Sequence, residues 1–219
     1  MEQAPTLAPL ATAHGHVVRR LAPADISAAA DVLATAFAAD PGWVALFPDE
    51  AERRAILPGI YRVVLASDIR RGRVTGVARP GPDLHSALDG VAVWHLPGDR
   101  PMEMGDRVAD LLAKAALLPH ARVLNRARAV SAGFAELRAA AGVGEDTADL
   151  YHLGVRPEMQ GRGVGSSLVR PVLARHPHAW TETMTETNVA MYERYGFAVF
   201  GERRLPALGL RLFGMRRAG

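Results

Sequence analysis

Residues 150–168 read Leu-Tyr-His-Leu-Gly-Val-Arg-Pro-Glu-Met-Gln-Gly-Arg-Gly-Val-Gly-Ser-Ser-Leu. Leu150 to Val155 is a short apolar-rich run that suits a buried strand. Pro157 stops it, because proline has no N–H to give a sheet ladder. After the glycine turn Gln160-Gly161-Arg162-Gly163-Val164-Gly165, the spacing of Val164, Leu168, Val169, Val172 and Leu173 predicts a helix over Ser166 to Ala174. A strand, a glycine-rich turn and a helix in that order make an anion site. Glycines allow close backbone approach, and the N–H groups of a first helical turn have no acceptor of their own. The N–H groups of Gly161 to Gly165 and of Ser166 are therefore the expected phosphate seat, with Arg162 as its cationic neighbour and Arg156 as a second one.

Working outward, 219 residues allow one well-buried domain, and 49% hydrophobic with 22% charged residues exclude a disordered chain. No cysteine is present, which removes disulfides, thiolate catalysis and Cys-ligated zinc together. Net charge is only +3, and the arginines come as scattered pairs, a poor footprint for nucleic acid. No apolar run is long enough for a transmembrane helix. The expectation is a cytoplasmic protein, monomer or homodimer, with no nucleic-acid or membrane partner. Residues 1–15 are expected to be a flexible leader, and 16–219 one mixed α/β domain.

Within that domain the first strand is expected at Val17–Leu21, then a helix over Ala24–Ala39 opened by Pro23 and ended by Asp40-Pro41-Gly42. Trp43–Phe47 reads as a short turn, and Ala51–Ile69 as a helix kinked at Pro58. Arg73–Arg79 and Gly90–His95 read as paired strands, and Met102–Leu118 and Ala121–Ala141 as helices. Ala179–Thr183 is a strand and Asn188–Tyr195 a short helix capped by Gly196. Phe197–Arg203 and Leu208–Met215 close the sheet.

Which phosphate ligand suits the turn is decided by what surrounds it. A P-loop ends in Gly-Lys-Ser/Thr, and the only lysine is the distant Lys114. A dinucleotide fingerprint needs a third glycine where Ser166 stands, and repeated βα units that the chain after Gly165 does not hold. Gln160-x-x-Gly163-x-Gly165, preceded by Val155-x-Pro157, instead resembles the acyl-CoA signature of the GNAT N-acetyltransferase superfamily. Asn188-x-x-x-Tyr192-x-x-x-Gly196-Phe197 resembles its closing segment. The Ala36-Phe37…Asp40-Pro41 end of the first helix and Gly90-Val-Ala-Val-Trp94-x-x-Pro97 are similar to puromycin N-acetyltransferase-like bacterial small-molecule acetyltransferases. Thr181 and Met184 depart from that group, which has a leucine and a small residue there.

The resemblance implies a central mixed sheet of about seven strands flanked by helices, with strands splayed at a cofactor cleft, and acetyl-CoA as the cofactor. Leu153, Gly154 and Val155 would pair with the pantetheine arm like an added strand. Gln160, Gly161, Arg162, Gly163, Val164, Gly165 and Ser166 would hold the pyrophosphate, with Asn188 and Tyr192 near the sulfur. Asn188 and Tyr192, at i and i+4, share a helix face. Tyr192 is the implied acid for the leaving thiolate. The base is Glu182, His152 or His95: imidazole is the side-chain type suited to proton transfer near neutral pH, and Glu182 is a strand-end carboxylate. Phe37, Trp43, Phe47 and Trp94, near Asp40 and Asp49, form a candidate aromatic pocket for a hydrophobic amine. His176-x-His178 and Asp146-x-x-Asp149 have no third ligand in register, so no metal is expected.

The expected function is acetyl transfer to the primary amine of a small molecule, xenobiotic or antibiotic-like. Acetylation of a protein lysine or N-terminus is the alternative within the enzyme class. A non-catalytic acyl-CoA-binding protein of the same fold is the alternative outside it.

Overall fold

Leu88–His95 is buried at every residue but the last, so it needs cover on both faces, and this puts it in the middle of the sheet. The computed structural model describes residues 10–11, 17–78, 88–99 and 121–219. Among these, the strands are β1 (Leu10–Ala11), β2 (Val17–Arg20), β3 (Val74–Ala78), β4 (Leu88–His95), β5 (Ala148–Val155), β6 (Ala179–Thr183), β7 (Ala198–Leu205) and β8 (Leu210–Arg217). They form one sheet in the order β1-β2-β3-β4-β5-β6-β8-β7. Seven of them have four residues or more, and β1 has two. The helices are α1 (Ile26–Phe37), α2 (Pro41–Leu46), α3 (Glu50–Arg70), α4 (Ala121–Ala141), α5 (Val164–Leu173) and α6 (Glu186–Glu193). The expected helix over Met102–Leu118 lies outside the described residues, as does most of the leader.

α1 and α3 bury one face of the sheet through Leu33, Leu57, Leu65, Val91 and Val93. α5 and α6 cover the other through Val164, Leu168, Ala92 and Leu150. Two glycines thin the sheet between them. A Cβ on Gly154 would meet Leu33 Cδ2 at 2.7 Å, and one on Gly90 would meet Val164 Cγ1 at 2.6 Å. Each lets a helix approach the backbone more closely than a side chain would permit. α4 packs separately, with Leu137 and Ala141 against Trp180 and Leu212.

Two helix boundaries move from expectation because of caps. α5 starts at Val164, with Gly163 as its N-cap at φ +83°, a conformation open to glycine. α6 starts at Glu186 because the Thr185 hydroxyl accepts from the Asn188 N–H at 3.1 Å. α2 is a short helix where a turn was expected, opened by Pro41 with the Asp40 carboxylate capping Gly42. α3 continues through Pro58.

One feature of the sheet positions the site. β5 and β6 run parallel and pair only at Ala148↔Ala179, Asp149↔Trp180 and Leu150↔Thr181. Beyond Leu150 the strands part, while β5 stays paired with β4 as far as Val155. The edge of β5 from Tyr151 to Val155 is thus open on one side. Arg156 gives its N–H to Asp89 O of β4 at 2.9 Å, and ladder alternation then turns the N–H groups of Leu153 and Val155 toward the open edge.

Candidate active site

The opening continues into a cleft of about 1310 Å³ that runs from the glycine turn, through the gap between β5 and β6, to a chamber walled by α1, α2, α3 and α4. At the turn, Gly161 and Gly163 have φ of +74° and +83°. A Cβ on Gly161 would touch nothing within 4 Å, and one on Gly165 would make only ordinary contacts, 3.7 Å to Val155 Cγ2 and 3.8 Å to the Tyr195 hydroxyl. Internal packing therefore does not demand glycine at 165; the bare backbone there faces the cleft. The first α5 ladder bond is Ser167 N–H to Gly163 O at 3.0 Å, which leaves the N–H groups of Val164, Gly165 and Ser166 without an intrahelical acceptor. The turn fits a pyrophosphate, and a Leu153–Val155 edge with free N–H groups fits an amide-bearing arm.

Several side chains at this end differ from expectation. Arg156 is turned away, its Nε donating to Leu88 O at 2.8 Å. Arg162 is exposed and outside the lining, whereas Arg170 and Arg194 line it. Gln160 spends its amide on Val155 O at 3.2 Å and so ties the loop to the strand. Ser166 Oγ is engaged with the Tyr195 hydroxyl at 3.1 Å, and the Val164 side chain is core. Gly154 serves α1 packing, and its N–H falls on the β4 side; Leu153 and Val155 are the residues of that trio that line the cleft.

At the gap, Asn188 and Tyr192 line the cleft together, as their spacing implied. Asn188 Nδ2 donates to Thr183 Oγ1 at 3.0 Å. Tyr192 is buried, and burial pushes its phenol up to about 12 against a hydrogen bond with the Thr181 side chain that lowers it. Thr181 Oγ1 in turn donates to Leu150 O at 3.1 Å, at the last paired residue before the strands part.

In the chamber, Phe37, Trp43, Tyr61 and His152 make an aromatic box. Trp43 Nε1 donates to the Tyr61 hydroxyl at 2.9 Å. His152 lies edge-on to Tyr61 at 5.6 Å and to Phe37 at 6.0 Å between ring centroids. Asp40 lines the same chamber, and its charge is felt at both the Tyr61 and the Tyr192 hydroxyls. Burial raises the Asp40 carboxyl above its ordinary range, although the Gly42 and Trp43 N–H groups oppose this. Arg53 braces this corner with Nε on Ala38 O at 2.6 Å and Nη1 on Phe47 O at 2.7 Å.

Three sequence expectations for the chamber change. Trp94 is 2% exposed and belongs to the core under α5, because the pleat of β4 turns it with Ala92 to the opposite face. Phe47 is core as well, and Asp49 caps α3 through the Glu52 N–H. Regular strand alternation would put Tyr151 and His152 on opposite faces. The β4–β5 register slips between Val93↔His152 and Trp94↔Leu150, leaving Tyr151 as an extra residue, and the two rings meet at 4.5 Å.

The remaining wall is a chain of charges. Glu182 Oε1 accepts from Trp180 Nε1 at 2.9 Å and Arg138 Nη1 at 3.3 Å, and Arg138 Nη2 reaches Asp149 Oδ2 at 3.0 Å. Burial raises the Glu182 carboxyl despite these donors. His95 Nδ1 stands 3.9 Å from the same Asp149 oxygen. Tyr61 and Arg138 were not found from the sequence. Each lies on a helix whose pattern signals only burial or solvation, and nothing local marks a residue whose partners are far along the chain. Among the described residues no group of three or more His, Asp or Glu is arranged to hold a metal. No helix there is long and apolar enough to cross a membrane.

Residues 121–199 match the acetyltransferase (GNAT) domain family. The matched stretch holds the glycine turn and the helix of Asn188 and Tyr192. Domains of that family take acetyl-CoA as donor and act on amine acceptors. Solved structures share the fold over nearly the whole chain. A Corynebacterium glutamicum protein described as histone acetyltransferase HPA2 and related acetyltransferase is 22% identical, with 91% of this chain and 94% of that chain covered and a TM-score of 0.60. A Drosophila melanogaster polyamine N-acetyltransferase that forms N-acetylagmatine is 15% identical, with coverage of 92% and 98% and a TM-score of 0.58. The Thermoplasma acidophilum PaiA N-acetyltransferase, solved with coenzyme A, is 13% identical, with coverage of 93% and 99% and a TM-score of 0.54. No curated protein matches the chain.

Proposed function

We propose that this acetyltransferase acts on the primary amine of a small hydrophobic molecule, xenobiotic or antibiotic-like, by direct attack of the amine on the thioester. The observation that carries this is the aromatic box of Phe37, Trp43 and Tyr61 with the half-buried Asp40 beside it. Aromatic faces and one carboxylate suit an ammonium on an apolar body. The likeness to puromycin N-acetyltransferase-like enzymes at Ala36-Phe37 and Asp40-Pro41 supports the same choice, since these residues build that box.

Bound acetyl-CoA supplies a thioester carbon open to nucleophiles. The chain's residues do the rest. The turn from Gly161 to Ser166 holds the phosphates, and the N–H of Leu153 or Val155 donates to the thioester oxygen. Tyr192 Oη delivers a proton to the departing sulfur, with Asn188 beside it. Glu182, His152 and His95 line the cleft as candidate bases.

Thiol release from acetyl-CoA, followed with arylalkylamines, aliphatic diamines, aminoglycosides and lysine peptides, tests this. Small aromatic amines should give the highest kcat/KM. Preference for peptides would move the enzyme to the protein-acetylating class. Coenzyme A binding without turnover of any amine would make the chain a binding protein.

A further inference from the structure

His95 lines the cleft, and its imidazole is flanked by carboxylates. Its Nε2 lies 3.3 Å from Asp68 Oδ1 of α3, and its Nδ1 lies 3.9 Å from Asp149 Oδ2 of β5. The ring stacks on Tyr151 at 4.8 Å and 24°. Behind Asp68 stands Arg73 at 3.4 Å, and behind Asp149 stands Arg138 at 3.0 Å. The side chain is 31% exposed and lines the cleft, but its Nε2 is buried, so Nδ1 is the nitrogen that can meet a proton donor there.

The other titratable groups on this wall are less free. Glu182 already accepts from Trp180 and Arg138, and Asp149 from Arg138. His152 is walled by the rings of Phe37, Tyr61 and Tyr151. An imidazolium at 95 gains two carboxylates. Burial pushes the Asp68 carboxyl up, but His95 and Arg73 outweigh this and hold it below its ordinary range, so it is ionised when His95 takes a charge.

Resting on the acetyl-transfer reading above, we propose that His95 is the proton acceptor of the reaction, taking a proton from the acceptor's ammonium directly or across one water. The ammonium N–H bond breaks and the proton passes to His95 Nδ1, with Asp68 and Asp149 balancing the new charge. The freed lone pair forms the C–N bond as the C–S bond breaks, and sulfur leaves with the Tyr192 proton. The second proton on nitrogen restores Tyr192, and His95 passes its own to water. One proton is released per turnover, as conversion of an ammonium to an amide requires.

The test uses the full chain with acetyl-CoA and 2-phenylethylamine, comparing wild type with His95→Ala and His95→Gln. Wild-type kcat/KM should rise with pH as one group loses its proton. Both variants should lose that limb, with kcat/KM down roughly 10²–10⁴-fold and the coenzyme A dissociation constant, by calorimetry, within about twofold. Added 4-methylimidazole should restore part of the rate to His95→Ala. The imidazole C–H resonance missing from His95→Gln spectra should titrate with the kinetic limb. Retention of the limb, or kcat/KM within about threefold of wild type, would overturn the proposal. So would loss of coenzyme A binding in both variants, which would make His95 a structural residue. Absence of wild-type thiol release at every pH, with coenzyme A bound, would sink the acetyl-transfer reading itself and this step with it.

Discussion

Trp43 Nε1 and the Tyr61 hydroxyl meet at 2.9 Å, 18 residues apart in sequence, and that bond fixes α2 against α3 at the mouth of the acceptor chamber. Tyr61 is buried, which raises its phenol well above the ordinary range and keeps it neutral. Tyr61→Phe leaves the indole N–H facing a ring edge and loosens Trp43. Losing a partner for a mostly buried donor costs about 1–3 kcal/mol. The expected outcome is a rise in KM for the amine of roughly 5–50-fold, with kcat and coenzyme A affinity little changed. Steady-state kinetics at saturating acetyl-CoA would show it, and an unchanged KM would remove this pair from acceptor recognition.

Tyr192 brings its own pH signature. Its phenol is pushed up to about 12, so it carries its proton throughout the accessible range and would lose it only as pH rises through that value. As the acid, it should therefore impose no falling limb on kcat below about pH 10. Tyr192→Phe should lower kcat by roughly 10²–10³-fold with the coenzyme A dissociation constant unchanged. Thr181→Val removes the hydrogen bond that lowers the phenol, and should cut kcat less, by roughly threefold to tenfold. A full rate in Tyr192→Phe would show that the thiolate leaves unaided.

The proposed donor half rests on backbone chemistry, which a sequence carries locally. Gly161, Gly163 and Gly165 stand at alternate positions of one short stretch, and Pro157 and the apolar run before it mark the strand end. The acceptor half was less legible. Phe37, Asp40 and Trp43 were found beside a helix break, but Trp94 was misplaced, since a sheet's two faces cannot be told apart when both are buried. The slip that brings Tyr151 against His152 depends on how β4 pairs with β5, and pairing is invisible in either strand alone. Arg138 and Glu182 are 44 residues apart and meet only after α4 has packed on β6 and β8.

Arg53 is buried without a carboxylate, and its guanidinium is satisfied by the carbonyls of Ala38, Phe47 and Pro48. Those carbonyls belong to the ends of α1 and α2, which hold Asp40 and Trp43 between them. Arg53→Met keeps the apolar stem and deletes the donors. Stranded carbonyls should lower stability by about 2–4 kcal/mol, measured by urea denaturation. The same variant should raise the amine KM while leaving coenzyme A affinity intact, because the glycine turn is on the other side of the sheet. An equal loss of both affinities would point to general loosening instead.

Gly163 separates the two ways a glycine can matter in the turn. It stands at φ +83° as the N-cap of α5, so any L residue is strained there by roughly 1–2 kcal/mol. Gly163→Ala should lower the melting temperature by that strain and weaken coenzyme A by a small factor, since the N–H groups of Val164, Gly165 and Ser166 still point the same way. Gly163→Asp carries the same strain and adds a negative charge at the phosphate seat. Its coenzyme A dissociation constant should rise at least roughly tenfold beyond that of Gly163→Ala, and raised salt should narrow the gap by screening. Calorimetric titration of both variants at low and high salt would measure the difference. Equal affinities for Ala and Asp would move the pyrophosphate away from Gly163.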